Sequence, residues 1–478
     1  MSDALTFKTV NPASGQTVAE YDNLTDDQLE EVLVKSQAGF AAWQAMPIED
    51  RAEVVTHIAE LFKNRADELG AIATREMGKP LGESRGEAEF CAEIFDYYAK
   101  QGPALAADQP IKSTVEGRAV IQSRPIGALL GIMPWNYPFY QVARFAAPNL
   151  MLGNVILLKH AESCPQAALA IEEIMREAGL PEGVYQNIFV SHDQIERVIG
   201  DTRVQGVSLT GSERAGAKVA EIAGRNLKKV VLELGGSDPF IVLDTKDVAE
   251  TAKLAFDTRI ENTGQACNSN KRIIVSSEIY DDFVAEVVRL TEQLEPADPA
   301  AEKPNTYGPL SSRAAAEKLN EQVQTAVSEG ATLHVGGELS DGPEAFFSPA
   351  VLTDVAPGTQ AYEDELFGPV IVVYEVESDE EALALANDTP FGLGGSVHST
   401  DVKRAESIAQ LLDVGMSAVN APSAETAEMP FGGVKRSGYG RELGPLGMDE
   451  FVNKRLLFIA GPEADAEDDA EHPATAAQ

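Results

Sequence analysis

One cysteine stands in an unusual place. The stretch Asn262-Thr263-Gly264-Gln265-Ala266-Cys267-Asn268 is small, polar and glycine-containing, whereas structural thiols sit among apolar neighbours. A thiol beside Gln and Asn, with free backbone N–H groups nearby, can be held as a reactive thiolate; the alternative is an inert cysteine in a buried helix. Glu233-Leu234-Gly235-Gly236 ends the apolar run Val230-Val231-Leu232. A carboxylate at the mouth of a buried strand, followed by a glycine turn, suits a general base with a raised pKa, although an exposed strand-end acid fits the same letters. Met133-Pro134-Trp135-Asn136-Tyr137-Pro138-Phe139 ends a second apolar run. Two prolines and bulky aromatics would fix the backbone around Asn136, whose side-chain amide could then donate to a developing oxyanion; an ordinary aromatic-rich turn is the plainer reading.

Leu209-Thr210-Gly211-Ser212 lies between a strand and a helix, so Ser212 can cap that helix and turn its N–H groups toward a phosphate. Gly211 to Gly216 has P-loop spacing, but Ala217 stands where the lysine is required, so no ATP site is implied. No G-x-G-x-x-G follows the early strands, and an ordinary dinucleotide fingerprint is missing. The three cysteines, Cys91, Cys164 and Cys267, are too few for a disulfide framework or a four-cysteine zinc site. No histidine lies near Cys267 in sequence and no H-x-x-x-H pair occurs, so no metal centre is expected.

These segments need elements to position them. Short apolar runs at 126–133, 154–158, 185–190, 206–209 and 229–232 alternate with helical stretches such as 166–178 and 212–223. The rhythm restarts with strands at 240–243, 272–275, 370–374, 395–397 and 417–419, and helices at 279–294 and 313–329. Upstream, Thr25 to Gln28 is a capping-box signature, followed by helical stretches at 48–76 and 81–100, the latter carrying Cys91 among core residues. This predicts an α/β protein of two doubly wound lobes with largely parallel sheets. The 478 residues are 44% hydrophobic, enough for a large folded core. No apolar run nears membrane-spanning length, and the first eight residues show no secretory pattern, so a reducing cytoplasm is the expected compartment. Asp and Glu number 76 against 38 Lys and Arg, a formal charge of −38. Such a surface disfavours nucleic acid and anionic membranes, and its self-repulsion calls for screening by concentrated salt, a halophile's composition. The acidic, alanine-rich residues 462–478 read as a disordered tail.

In order as well as content, the segments resemble the aldehyde dehydrogenase superfamily. Pro134-Trp135-Asn136 is followed by Lys159-His160-Ala161-Glu162, Thr210-Gly211-Ser212, Glu233-Leu234-Gly235-Gly236, Gly264-Gln265-Ala266-Cys267, Glu365-Leu366-Phe367-Gly368-Pro369 and Pro430-Phe431-Gly432-Gly433-Val434-Lys435-Arg436-Ser437-Gly438. Seven motifs in register, with the family's 34-residue step from Glu233 to Cys267, cover nearly the whole chain. The resemblance implies a Rossmann-like NAD-binding domain (1–106 and 126–235), a catalytic domain (236–436), a β oligomerisation arm (107–125 and 450–461) and a return segment (437–449). The arm strand at 455–459 would pair across a subunit boundary in a homodimer or homotetramer.

The resemblance also assigns roles. Cys267 is the nucleophile, Glu233 the water-activating base and Asn136 an oxyanion donor. Trp135, Lys159, Glu162, Gly211, Ser212, Leu234, Glu365 and Phe367 would hold the cofactor. Lys159 and Glu162 would reach the adenosine ribose, where an acid repels a 2′-phosphate; NAD is therefore expected in preference to NADP. The stretch from Trp135 to Arg144 is similar to the succinate-semialdehyde branch. There Arg144, with Gln141 three residues earlier on the same helix face, can bind a substrate carboxylate; a surface or interdomain salt bridge is the competing role for Arg144. Two departures stand out: Glu261 occupies the position of a second arginine in some of those enzymes, and Ser269 that of a second cysteine. A broad-specificity aldehyde dehydrogenase, a catalytically silent relative and a cysteine acyl hydrolase are the alternatives.

Overall fold

The structure is a computed structural model that describes residues 6–461; the expected acidic tail lies outside them. Two parallel-rich sheets form its frame. In the first, Ala128–Met133 is central, with Val155–His160 on one side and Val204–Thr210 on the other, all parallel. Tyr185–Asn187 and Lys229–Glu233 extend it outward. Helices cover both faces, so strand residues are buried whichever way they point. That is why these strands read as continuous apolar runs instead of alternating ones.

The chain leaves Ala128–Met133 toward one neighbour and returns on its other side. This reversal opens a crevice at the C-terminal strand ends, the usual ligand position in open α/β sheets. The turns carrying Trp135 and Asn136, Glu162, Gly211 and Ser212, and Leu234 all leave the sheet at this edge.

The second sheet has the order Thr332–Val335, Ala350–Thr353, Val370–Val376, Arg272–Ser276, Pro239–Val242, Ser396–His398, Ala418–Val419. Only the Thr332–Val335 edge pairs antiparallel. The return segment then crosses back: Gly438–Tyr439 pairs antiparallel with Glu233 and Leu232, as the outermost strand of the first sheet. Phe431, Leu443 and Met448 join the core around the helix Tyr140–Leu152. One chain segment thus belongs to both lobes.

Local expectations are refined at three points. The helical stretch 48–76 is two helices, Ile48–Asn64 and Ala66–Met77, broken at Arg65. Arg65 instead turns its guanidinium to Glu68 and Glu173, at 2.8 and 3.1 Å. The strand Val452–Ala460 pairs along its whole length with Gly117–Pro125 of the same chain and forms one edge of the arm sheet. Its register runs from Val452 opposite Pro125 to Ala460 opposite Gly117, and Gln109–Ile111 completes the three-stranded arm. Finally, the helix holding Cys91 continues to Leu105 through Pro103. The expected Thr25 capping box is present, with Thr25 Oγ1 accepting from Gln28 N–H and Gln28 Oε1 accepting from Thr25 N–H.

Surface ion pairs include short-range pairs between exposed partners, such as Lys253 with Asp257 and Lys218 with Glu221. Such pairs contribute about 0–1 kcal/mol each and do not offset the repulsion of a −38 chain. The melting temperature is expected to rise as KCl is increased from about 0.1 to about 2 M, because the screening length contracts to roughly 3 Å near 1 M. A flat or falling melting temperature over that range would remove screening as a stabilising factor.

Candidate active site

The nucleophile segment follows the helix Val248–Ile260 and precedes the strand Arg272–Ser276. Asn262, Thr263 and Gly264 all adopt positive φ, which bends the chain sharply enough to aim Cys267 into the seam between the lobes. Gly264 is required there on two counts. Its φ is +73°, and a Cβ would run into the Gly368 carbonyl. Side chains brace the bend from all sides. Arg259, fully buried, donates to the carbonyls of Gly264, Leu366, Gly368 and Val370 and to Ser269 Oγ, at 2.7–3.0 Å. Asn262 Nδ2 donates to the Asn136 carbonyl at 2.8 Å, and Lys271 Nζ donates to the Ala266 and Cys267 carbonyls at 2.7 and 2.8 Å. The nucleophile segment is therefore clamped to both the Asn136 turn and the Glu365 segment.

Asn136 sits opposite, 4% exposed. Its Nδ2 donates to the Gln265 carbonyl at 3.0 Å, which uses one of two N–H groups and leaves the other for an oxyanion. The turn is held from behind by His160, whose Nε2–H donates to the Pro138 carbonyl at 2.8 Å while Nδ1 accepts from Ala161 N–H. Burial lowers the His160 pKa to about 4, so the ring is neutral and serves as a spacer.

Glu233 ends its strand 2% exposed, and neither carboxylate oxygen has a hydrogen-bond partner among the described residues. Burial pushes its pKa well above the usual carboxylate range, with Arg144 pulling it down and Glu442 pushing it further up. Gly432 explains the double glycine of the return segment: a Cβ there would lie 2.7 Å from Glu233 Oε1. Cys267 is half-buried, and burial pushes its thiol up to about 12; Arg144 and Lys271 oppose that shift, while Glu233 and Glu425 add to it. The free protein thus holds Cys267 as a thiol. Cys91 and Cys164 are wholly buried and belong to the core.

A cavity of about 410 Å³ opens onto Cys267. Its walls include Phe90, Tyr137, Tyr140, Gln141, Glu425 and Phe431. Gln141 takes the expected place on the wall, with its Oε1 unpartnered among the described residues. Arg144 does not. It is 0% exposed, lies behind the wall with its guanidinium 4.1 Å from the Phe431 ring centroid, and is ion-paired with Glu442. Glu442 also accepts from Ser208 Oγ at 3.2 Å. Direct contact with a substrate carboxylate gives way here to a buried salt bridge with the return segment, because a buried cation needs a fixed counter-charge. One nitrogen, Nη2, remains without a partner among the described residues.

The second opening of the seam is the strand-end crevice, and its residues suit a dinucleotide. Ser212 caps the helix Glu213–Arg225, accepting from Ala215 N–H at 3.4 Å. A Cβ on Gly211 would touch only Leu209, so the backbone there is open to close approach. Thr210 Oγ1 is buried without a partner among the described residues. Leu234 packs over Gly216, holding the helix against the strand. Glu365 accepts from Gly236 N–H at 3.2 Å and pairs with Lys271 at 3.0 Å. Phe367 meets Trp135 edge to face, with ring centroids 5.7 Å apart. Lys159 and Glu162 are ion-paired with each other. That pairing weakens the expected argument for NAD, since a neutralised acid no longer repels a 2′-phosphate. Among the described residues no group of His, Cys, Asp and Glu is arranged to hold a metal ion.

Residues 1–457 match the Aldehyde dehydrogenase family. The chain belongs to that family. It is 50% identical over 452 residues, 94% of each chain, to a succinate-semialdehyde dehydrogenase [NADP(+)] of Deinococcus radiodurans. It is 40% identical to one of Mycobacterium tuberculosis, covering 95% of this chain and 99% of that one. Among solved structures it superposes on a succinic semialdehyde dehydrogenase of Streptococcus pyogenes, in complex with NADP+, with a TM-score of 0.92 and 39% identity over 95% of this chain and all of that one. A betaine aldehyde dehydrogenase of Staphylococcus aureus in complex with NAD+ gives 0.90 at 29% identity, over 95% and 91%. The protein is thus an aldehyde dehydrogenase with a nicotinamide dinucleotide cofactor.

The sequence pointed to Cys267, Glu233 and Asn136, which the fold brings to one seam, but not to the groups that hold them. Asn262 and Gly264 carried a turn signal in a polar string. Glu442 carried none, because its partner Arg144 is 298 residues away. Alkylation of Cys267 by iodoacetamide in the cofactor-free protein is expected to keep accelerating between about pH 8 and 10, as a buried thiol requires. A rate already level below about pH 8 would show a preformed thiolate.

Proposed function

We propose that this aldehyde dehydrogenase oxidises succinate semialdehyde to succinate through a covalent thioester on Cys267. The observation that carries the mechanism is the convergence of three buried groups on one seam: a thiol, an amide N–H donor with spare capacity, and a carboxyl without a fixed partner. The Cys267 thiol gives up its proton to solvent, and Sγ attacks the aldehyde carbon. The resulting hemithioacetal oxyanion is held by Asn136 Nδ2 and the Cys267 backbone N–H. The nicotinamide, when bound, supplies the hydride acceptor. Glu233 then takes a proton from the water that hydrolyses the thioester. A raised pKa suits this role, because the base must accept a proton without holding it permanently. Trp135, Leu234 and Phe367 would hold the nicotinamide end, Glu365 its ribose, and Gly211 and Ser212 the pyrophosphate.

The substrate is supported by the succinate-semialdehyde relatives at 40–50% identity. Arg144 supplies positive potential beneath the cleft, and Gln141 offers a free amide at its wall. For the cofactor we favour NADP over the expected NAD. The Lys159–Glu162 pair leaves a lysine where a 2′-phosphate would lie, and the relatives' names specify NADP(+). The exposed apolar strand Val452–Ala460, with Leu456 62% exposed, supports a homo-oligomer joined through the arm.

Glu233→Gln is expected to give a stoichiometric burst of reduced cofactor at 340 nm and then almost no turnover, since thioester formation survives and hydrolysis does not. Steady turnover near the wild-type rate would exclude Glu233 as the base. Asn136→Ala is expected to lose about 10²–10³ in kcat. In the same assay, faster reduction of NAD than of NADP at equal concentration would overturn the cofactor reading.

A further inference from the structure

The cleft beside Cys267 is lined by four carboxyl groups that the mechanism does not use, Glu83, Glu87, Glu261 and Glu425, and of these Glu425 is the one bonded to the neighbour of Cys267. Glu425 lies on the loop between Ala418–Val419 and the return segment, and it lines the same cavity as Cys267, Tyr140 and Phe431. It is tied to the nucleophile's neighbour: Asn268 Nδ2 donates to Glu425 Oε1, and the Cys267 thiol faces Asn268 Oδ1 at 4.0 Å. Its other oxygen has no ion-pair or hydrogen-bond partner among those found for the described residues. No cation on the cavity wall answers it, because Arg144 is committed to Glu442 behind the wall.

An aldehyde whose carbonyl sits at Cys267 must therefore extend its chain past this carboxyl. Two carboxylates forced together in a low-dielectric cleft do not both stay ionised; they share one proton, and the pair titrates as a unit. We propose that Glu425 is the specificity-determining residue that reads the far end of the aldehyde, and that it admits an ω-carboxylate by sharing a proton with it. The proton comes from solvent on binding and returns on product release, so no other reactant is needed. The proposal rests on the reading of this cavity as the aldehyde site.

The groups facing Glu425 set the direction of its response. From the helix Tyr140–Leu152 it meets Tyr140 and the Arg144 charge; from the turn before it, Tyr137; from the helix Leu81–Leu105, Glu83 and Glu87 across the same cavity; from the nucleophile segment, Glu261 and Cys267; and from the turn before Pro239–Val242, Asp238. Burial raises its affinity for a proton and Glu261 adds to this, while Arg144 and the Asn268 hydrogen bond oppose them. The balance favours protonation above the ordinary carboxylate range. Neutral aldehydes need no such proton, and their ratio to the charged substrate cancels any effect of Glu425 on Cys267 itself.

The test is kcat/KM for succinate semialdehyde relative to butanal, with saturating cofactor, in the wild type, Glu425→Gln and Glu425→Ser. In the wild type the ratio is expected to fall at least tenfold between about pH 6.5 and 8.5, approaching tenfold per pH unit where one proton is taken up. In Glu425→Gln, which mimics the protonated acid, the ratio becomes independent of pH and at pH about 8.5 exceeds the wild type's by about tenfold or more. Glu425→Ser removes the charge with less volume and follows the same direction; butanal oxidation by either variant shows that it is folded. A ratio and pH profile unchanged in both variants overturns the proposal. A wild type that oxidises butanal but succinate semialdehyde at no pH sinks the substrate reading separately. In that case a gain of succinate semialdehyde oxidation in Glu425→Gln still upholds the role of Glu425, and no gain overturns it.

Discussion

The buried ion pair between Arg144 and Glu442 ties the return segment to the first lobe, behind the cleft that Cys267 lines. Both groups are inside the protein, and the cost of removing them from water is offset only while they remain together. Glu442 also receives Ser208 from the middle of the first sheet, and Arg144 stacks under Phe431 of the return segment. The pair therefore fixes where the return segment lies. That segment, in turn, supplies Gly432 beside Glu233 and Ser437, whose Oγ donates to the Gly235 carbonyl at 2.6 Å. The base, its backbone and the roof of the cleft all depend on this one contact. The same cation is the main charge drawing down the affinities of Cys267 and Glu233 for protons.

Burial acts on the reactive groups in a consistent direction. The Cys267 thiol and the Glu233 carboxyl are both driven toward their neutral forms, so the free site carries little reactive charge. Catalysis then requires a transient proton transfer instead of a standing thiolate, which limits oxidation and stray alkylation of the nucleophile. The scaffold around them is rigid by contrast. Arg259 makes five hydrogen bonds to the nucleophile segment and its neighbours, and Lys271 links that segment to Glu365. Rigid support of this kind is what an oxyanion site needs, since displacement by about 1 Å can cost about 10² in rate.

Much of the site was legible in the sequence. A cysteine in a polar glycine turn, an acid closing an apolar strand, and an asparagine between prolines are local patterns with local physical reasons. Strand positions also followed from short apolar runs, because strands covered on both faces must be apolar throughout. The places where the reading failed share a different character. Arg144 on a helix face cannot announce that its counter-ion lies 298 residues onward, nor Glu162 that Lys159 neutralises it. The arm strand Val452–Ala460 likewise cannot announce that one of its edges pairs with Gly117–Pro125 of its own chain.

What the sequence by itself determined is the fold class and the local settings of its side chains: which of them stand in reactive surroundings, which glycines the backbone demands, and an alternation that makes a doubly wound sheet. These depend on residue type and short-range periodicity. What only the tertiary structure decided is the electrostatic state of each group and the shape of the cleft: Arg144 withdrawn from the wall, Glu425 brought onto it, Cys267 held as a thiol. Coulomb energy and desolvation depend on distance and burial in space, and neither is a function of separation along the chain.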